Sequence, residues 1–285
     1  MSTTPSTTST SSTTSTSNTT SMSNTTSMSN TTGTGLDAGI SADLPLAGQR
    51  AVVMGGSSGI GKATAALFAA DGAEVVVTGR DREKLEAAAG RIGGKTTAYR
   101  LDGTDPAQID AFFAQSGPVD HLVLALSGAA GAGPFAELDL AELETGFAAK
   151  FWPYVRILRA ALPHLRADGS VTLVTAASAR AAFPGTAGLA AINGALEAMV
   201  PPLAVELAPL RINAVSPGVV DTPWWDALPA EQREALFRGF AESSPVGRIG
   251  RPGDIARALH LLATNGFVTG VVLDCTGGAN LPTGR

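Results

Sequence analysis

An α/β fold is what this sequence predicts: a single doubly wound parallel sheet with helices on both faces. Two observations carry it. Short runs rich in Val and Leu alternate along the chain with longer Ala-rich stretches of helical spacing. Several of the short runs are apolar almost without interruption, as strands covered on both faces must be. Alternation of this kind implies right-handed crossovers and places ligands beyond the carboxyl ends of the strands.

The elements follow in order. A first strand is expected at 50–54, where Arg50 leads into Ala51-Val52-Val53-Met54, and a helix at 59–71. The second strand, 74–78, leads to a helix over 82–90. The third, 96–101, is followed by Pro106, a favoured opening residue for a helix, here to 116. The fourth strand, 121–126, precedes a long helical pattern over 141–165. The fifth, 170–175, precedes another over 186–207. Pro201-Pro202 interrupt the latter and predict a kink or break, because an interior proline costs ~3 kcal/mol or more. The sixth strand is expected at 210–215 and the seventh at 271–274. Between them lies a helix over 252–263, with Asp254 near its start as a candidate N-cap.

The first 44 residues differ in kind. They are Ser/Thr/Asn-rich, and Ser-Met-Ser-Asn-Thr-Thr occurs twice in tandem, at 21–26 and 27–32. Such composition cannot bury enough surface to offset its ordering entropy, so a disordered low-complexity tail is expected. No Lys or Arg precedes Arg50 and no apolar core of a signal peptide is visible. Residues 45–285 suit one domain. No apolar stretch is read as long enough to span a bilayer. A single cysteine, Cys275, excludes an internal disulfide and fits a reducing, cytoplasmic setting. Net charge is −5 with no Lys/Arg cluster, which disfavours nucleic acid and anionic membrane as partners. His121, His164 and His260 lack metal-ligand spacing and read as structural; no metal is expected.

The chemistry begins after the first strand, at Met54-Gly55-Gly56-Ser57-Ser58-Gly59-Ile60-Gly61. Gly55 permits the tight turn, while Gly59 and Gly61 allow close approach of a ligand and of helix to strand. The helix N-terminus then offers free N–H groups and a positive dipole end to a pyrophosphate. At the end of the second strand, Gly79 stands where a carboxylate holds the ribose of NAD(H), and Arg80 follows. A guanidinium there pairs with a 2′-phosphate, so NADP(H) is expected over NAD(H).

Further motifs carry a family resemblance. From about Leu46 to Leu281 the chain resembles the short-chain dehydrogenase/reductase family, a Rossmann-type fold. Leu101-Asp102-Gly103-Thr104 resembles the family's third-strand end, where the Asp meets the adenine. Pro217-Gly218-Val219-Val220-Asp221-Thr222-Pro223 resembles its sixth-strand loop, where Pro217, Gly218, Val220 and Thr222 would hold the nicotinamide carboxamide. The Pro245–Ile255 region and Val268-Thr269-Gly270 resemble its C-terminal signature. The resemblance also implies a homodimer or homotetramer through the long helices, and a lid over 223–244 in which Trp224-Trp225 form an apolar wall or an oligomer contact.

The departures from the family are equally specific. Its tyrosine and lysine fall on Leu189 and Asn193, and its strand-five serine on Ala176, with Thr175 and Ser178 the nearest hydroxyls. Its helix asparagine falls on Lys150, and its fourth-strand Asn-Asn-Ala-Gly on Leu124-Ala125-Leu126-Ser127-Gly128. Lysine and asparagine thus read as exchanged between Lys150 and Asn193, the alternative being a coincidental surface lysine at 150. Tyr154, four residues beyond Lys150, is either a relocated proton donor or a packing residue. The expected function is an NADP(H)-dependent oxidoreductase of a small carbonyl or alcohol, using a non-standard site of Lys150, Thr175, Ser178 and Asn193. The alternative is a cofactor-binding relative without redox turnover, with a regulatory, sensory or structural role.

Overall fold

The structure is a computed structural model and describes residues 44–128 and 130–281. The expected tail therefore lies almost wholly outside the described residues, which belong to the compact unit Ala42–Arg285. Seven strands form one sheet in the order β3-β2-β1-β4-β5-β6-β7. They are β1 (Arg50–Met54), β2 (Glu74–Gly79), β3 (Lys95–Arg100), β4 (Val119–Leu124), β5 (Leu165–Val174), β6 (Arg211–Pro217) and β7 (Val272–Cys275). Every pairing is parallel. The chain order reverses between β1 and β4, which leaves a crevice at their carboxyl ends.

Side chains alternate across the sheet and feed two cores. Val52 and Met54 face one, with Phe112, Tyr154, Ile157, Leu196 and Val200. Ala51 and Val53 face the other, with Phe68, Leu85, Ile255 and Leu259. The first core is covered by α3 (Pro106–Ser116), α5 (Trp152–Ala161) and α6 (Ala187–Glu206). The second is covered by α1 (Gly59–Ala70), α2 (Arg82–Ile92) and α8 (Pro252–Thr264). This is the doubly wound Rossmann arrangement, in a single domain.

Four expectations need correction. The helical pattern 141–165 is divided: α4 (Leu140–Gly146), a π-helical turn over Phe147–Phe151, then α5. Pro153 supplies the reason, since it has no N–H to offer the carbonyl of Ala149. At α6 the expected break is absent, and the helix runs through Pro201 and Pro202 to Glu206. Each proline forfeits one N–H bond, to the carbonyls of Glu197 and Ala198, but Val200 and Ala204 bury this segment on the sheet and hold it helical. This same 20-residue helix is long and apolar enough to cross a membrane, contrary to the reading that no stretch is; here its apolar face is spent on the core. Finally, Asp254 is not the N-cap of α8. Arg251 is, and the Asp254 carboxylate reaches back to accept its N–H at 2.8 Å.

One helix escaped the sequence reading. α7 (Ala230–Ser243) lies inside the segment taken as a lid, and none of its residues is fully buried.

Candidate active site

A cleft of about 520 Å³ opens at the carboxyl ends of the strands. Every candidate site residue expected from the sequence lines it, from Gly55 to Thr222 and including Lys150, Thr175, Ser178 and Asn193.

At one end stands the glycine turn. Gly55 has φ +87°, and a Cβ there would stand 2.6 Å from the Ala125 carbonyl oxygen. A Cβ on Gly61 would collide with the Gly55 carbonyl itself, so α1 begins in contact with the turn. The N–H groups of Gly55 and Gly56 both donate to the Thr78 carbonyl, at 3.1 and 3.0 Å, which fixes the turn on β2. Ser58 is the N-cap of α1, yet its side chain makes no capping bond and the first turn holds no acid. The free N–H groups of that turn and the dipole remain for an anion. The loop after β6 closes over it: a Cβ on Gly59 would meet Thr222 at 3.2 Å.

Two charged side chains, Arg80 and Asp102, line this end. Arg80 is exposed at the rim. Asp102 accepts from the Thr104 N–H and hydroxyl, at 2.9 and 2.8 Å. Those bonds, with the Arg80 and Arg100 guanidiniums, hold its carboxyl below the usual range. Where a carboxylate would project from residue 79, the Ser57 side chain lies alongside, its oxygen 3.5 Å from the position of a Cβ. These residues fit a nicotinamide dinucleotide: the turn is stripped of side chains, the helix end is uncapped, and a cation, Arg80, stands at the rim.

The other end holds Lys150 and Asn193. Lys150 sits on the π-helical turn and is buried; its Nζ donates to Asn193 Oδ1 at 2.8 Å and lies 3.5 Å from the Thr175 carbonyl. Burial pushes the amine down to about 8, opposed by the charge of Glu197. Asn193 Nδ2 donates to the Leu189 carbonyl at 2.9 Å and lies 3.4 Å from Ser178 Oγ. Leu189, one turn earlier on α6, presents only carbon to the cleft.

Sequence reasoning missed Glu197. It is 8% exposed, accepts from Thr175 Oγ1 at 2.7 Å, and pairs with Arg180 at 3.1 Å. Arg180 in turn reaches Asp274 at 2.5 Å. The Thr175 proton is therefore committed to Glu197, while Ser178 stands beside the pair. The signal was present: Glu197 is the lone acid in the apolar interior of α6, one turn beyond Asn193.

Tyr154 is a packing residue. It is 1% exposed, and its hydroxyl faces the carbonyls of Leu124, Leu126 and Val174 at 2.8–3.0 Å. Burial raises its phenol far above the ordinary value, and it does not line the cleft. The histidines are also remote. His121 bonds Ser170 and Gln49 at the opposite end of the sheet, His164 stacks on Phe113, and His260 pairs with Asp71.

Fold and cleft together define a dinucleotide-binding oxidoreductase. The family model described as enoyl-(acyl carrier protein) reductase matches residues 55–280. A short-chain dehydrogenase/reductase of Stachybotrys chlorohalonatus is 30% identical over 249 residues, covering 82% of this chain and 98% of that protein. A hydroxy(phenyl)methylsuccinyl-CoA dehydrogenase subunit of Thauera aromatica is 33% identical over 255 residues, covering 82% and 97%. Among solved structures, a small-chain dehydrogenase in complex with NADPH matches with a TM-score of 0.69 at 31% identity, covering 82% and 99%. The chain belongs to the short-chain dehydrogenase/reductase family, whose members bind a nicotinamide cofactor, and it is an oxidoreductase of that type.

Proposed function

We propose that this protein is an NADP(H)-dependent oxidoreductase of a small carbonyl or alcohol, with Lys150 as its acid–base group. The 2.8 Å contact between Lys150 Nζ and Asn193 Oδ1 carries this reading. When bound, the nicotinamide supplies or accepts hydride. In the direction of reduction, the Lys150 ammonium gives a proton to the substrate oxygen, and the neutral amine takes it back in oxidation. Asn193 Oδ1 and, more distantly, the Thr175 carbonyl aim two N–H groups of the ammonium and leave the third for substrate. Ser178 offers the hydroxyl nearest this pair, and Thr175, tied to Glu197, holds the end of β5. Leu189 keeps water from the site. Arg80 and Ser57 favour a 2′-phosphate, and the NADPH-bound relative supports the same choice.

The test is substrate-dependent oxidation of NADPH and of NADH by residues 44–285 over a panel of aldehydes and ketones. Turnover with NADPH, lost in Lys150→Ala, is expected. Tight NADPH binding without turnover would instead favour a cofactor-holding protein without redox chemistry, a reading that the carbon surface of Leu189 at the family's tyrosine position keeps open.

A further inference from the structure

The substrate end of the cleft has a character that its proton donor does not explain. Among the described residues lining the cleft, only Arg80, Asp102 and Lys150 carry charge. Arg80 and Asp102 stand at the adenosine end, and Lys150 lies on the floor beside Asn193. Four aromatic side chains, Phe183, Trp224, Trp225 and Phe240, line the same cleft. Phe183, from the loop after β5, meets Phe240 of α7 edge to face, with ring centres 5.7 Å apart. Trp224 and Trp225 pack at right angles with centres 4.4 Å apart, and Trp225 packs on Phe237. The Trp225 indole N–H is spent on the Val220 carbonyl at 2.9 Å, so that indole has no donor left for the cleft.

The geometry points to a flat, uncharged aromatic aldehyde or ketone as the substrate class, its carbonyl directed at Lys150 and its rings held among Phe183, Trp224, Trp225 and Phe240. Edge-to-face and offset arrangements reward an aromatic guest beyond the area it buries. A saturated guest of equal size buries the same area without that reward. A carboxylate on the far ring would lose water with no cation on these walls to replace it. The inference rests on the reductase reading for its carbonyl chemistry, but the aromatic preference is a matter of binding.

The experiment compares four aldehydes with NADPH: naphthaldehyde, its fully saturated decalin counterpart, a formylnaphthoate and butanal. Naphthaldehyde is expected to exceed the decalin aldehyde in kcat/KM by about two- to tenfold. It should exceed formylnaphthoate and butanal by about tenfold or more. Phe240→Leu, which keeps an apolar side chain but removes the ring, should shrink the difference between naphthaldehyde and the decalin aldehyde and leave NADPH affinity unchanged. Equal use of the aromatic and saturated aldehydes, or of the carboxylate-bearing one, would overturn the inference and leave the reductase reading intact. If no aldehyde is reduced, the reductase reading falls and calorimetry with NADP⁺ present decides this one. Naphthylmethanol binding more tightly than decalinmethanol would support it, and equal or no binding would overturn it.

Discussion

The ammonium of Lys150 and the side-chain oxygen of Asn193 meet at 2.8 Å across the gap between the π-helical turn and α6. The two residues are 43 apart in sequence, and each occupies the position at which the family resemblance puts the other's residue type. The pocket holds one cation and one amide, with the cation on the π-helical turn and the amide on α6. Lys150 is buried there, and the neighbouring Leu189 offers no hydroxyl.

Such a cation titrates within reach of neutral pH. With its amine near 8, Lys150 is an ammonium below that value and a free base above it. Reduction needs the acid, so its kcat/KM should be level below pH 8 and fall about tenfold per unit above it. Oxidation needs the base and should rise to a plateau above the same pH. Lys150→Ala should lower the reductive rate by about 10²- to 10⁴-fold and abolish the alkaline limb. A limb that survives in the variant would assign the proton to another group.

The same shift has a cost in stability. The amine falls from 10.5 in the unfolded chain to about 8 in the folded one. Between those values the unfolded state binds more protons, so stability should rise with pH through this window and be penalised below it. At pH 7 the penalty is on the order of 3 kcal/mol. Lys150→Met removes it but leaves Asn193 Oδ1 without a partner, which costs about 1–3 kcal/mol. The variant should therefore be at least as stable as the parent at pH 7, and its stability should no longer climb between pH 8 and 10. Calorimetric melting across that range measures both; a variant melting well below the parent at pH 7 would contradict the assigned strain.

Much of this was legible in the sequence, and the remainder has identifiable causes. The strands were legible because both of their faces are buried, as at Val52 and Val53, so apolar character is continuous. The glycine turn was legible because backbone contacts at Gly55 and Gly61 leave no room for another residue. The division of the 141–165 helix was not, because one proline decides it through a missing donor. The run through Pro201-Pro202 was not, because packing outweighs local propensity there. Glu197 was missed for a related reason: its partners Thr175 and Arg180 are 22 and 17 positions away, brought together only by the fold.

At the cofactor end the proposed preference for NADP(H) rests on Arg80, which lines the cleft. A charge-assisted bond from its guanidinium is worth about 1.5–3 kcal/mol, or roughly 10- to 150-fold in affinity. Arg80→Ala should weaken NADPH binding by that factor and leave NADH binding within about twofold, since the dinucleotides differ only in the 2′-phosphate to which the proposal pairs Arg80. Equal losses for both cofactors would show that Arg80 supports the loop and not the phosphate.

Glu197 gives the sharpest test of the electrostatics, because it touches Lys150 only through its field. Its carboxylate raises the Lys150 amine against the effect of burial, while its oxygens hold Thr175 and Arg180. Glu197→Gln keeps an acceptor for the Thr175 hydroxyl but removes the charge. The amine should then fall below its present value of about 8, and the alkaline limb of the reductive profile should move to lower pH. A carboxylate that merely packed α6 against β5 would lower thermal stability without moving that limb. A shift of the limb toward acid, with the maximal rate largely retained below it, would identify Glu197 as the group that keeps the buried lysine protonated at neutral pH.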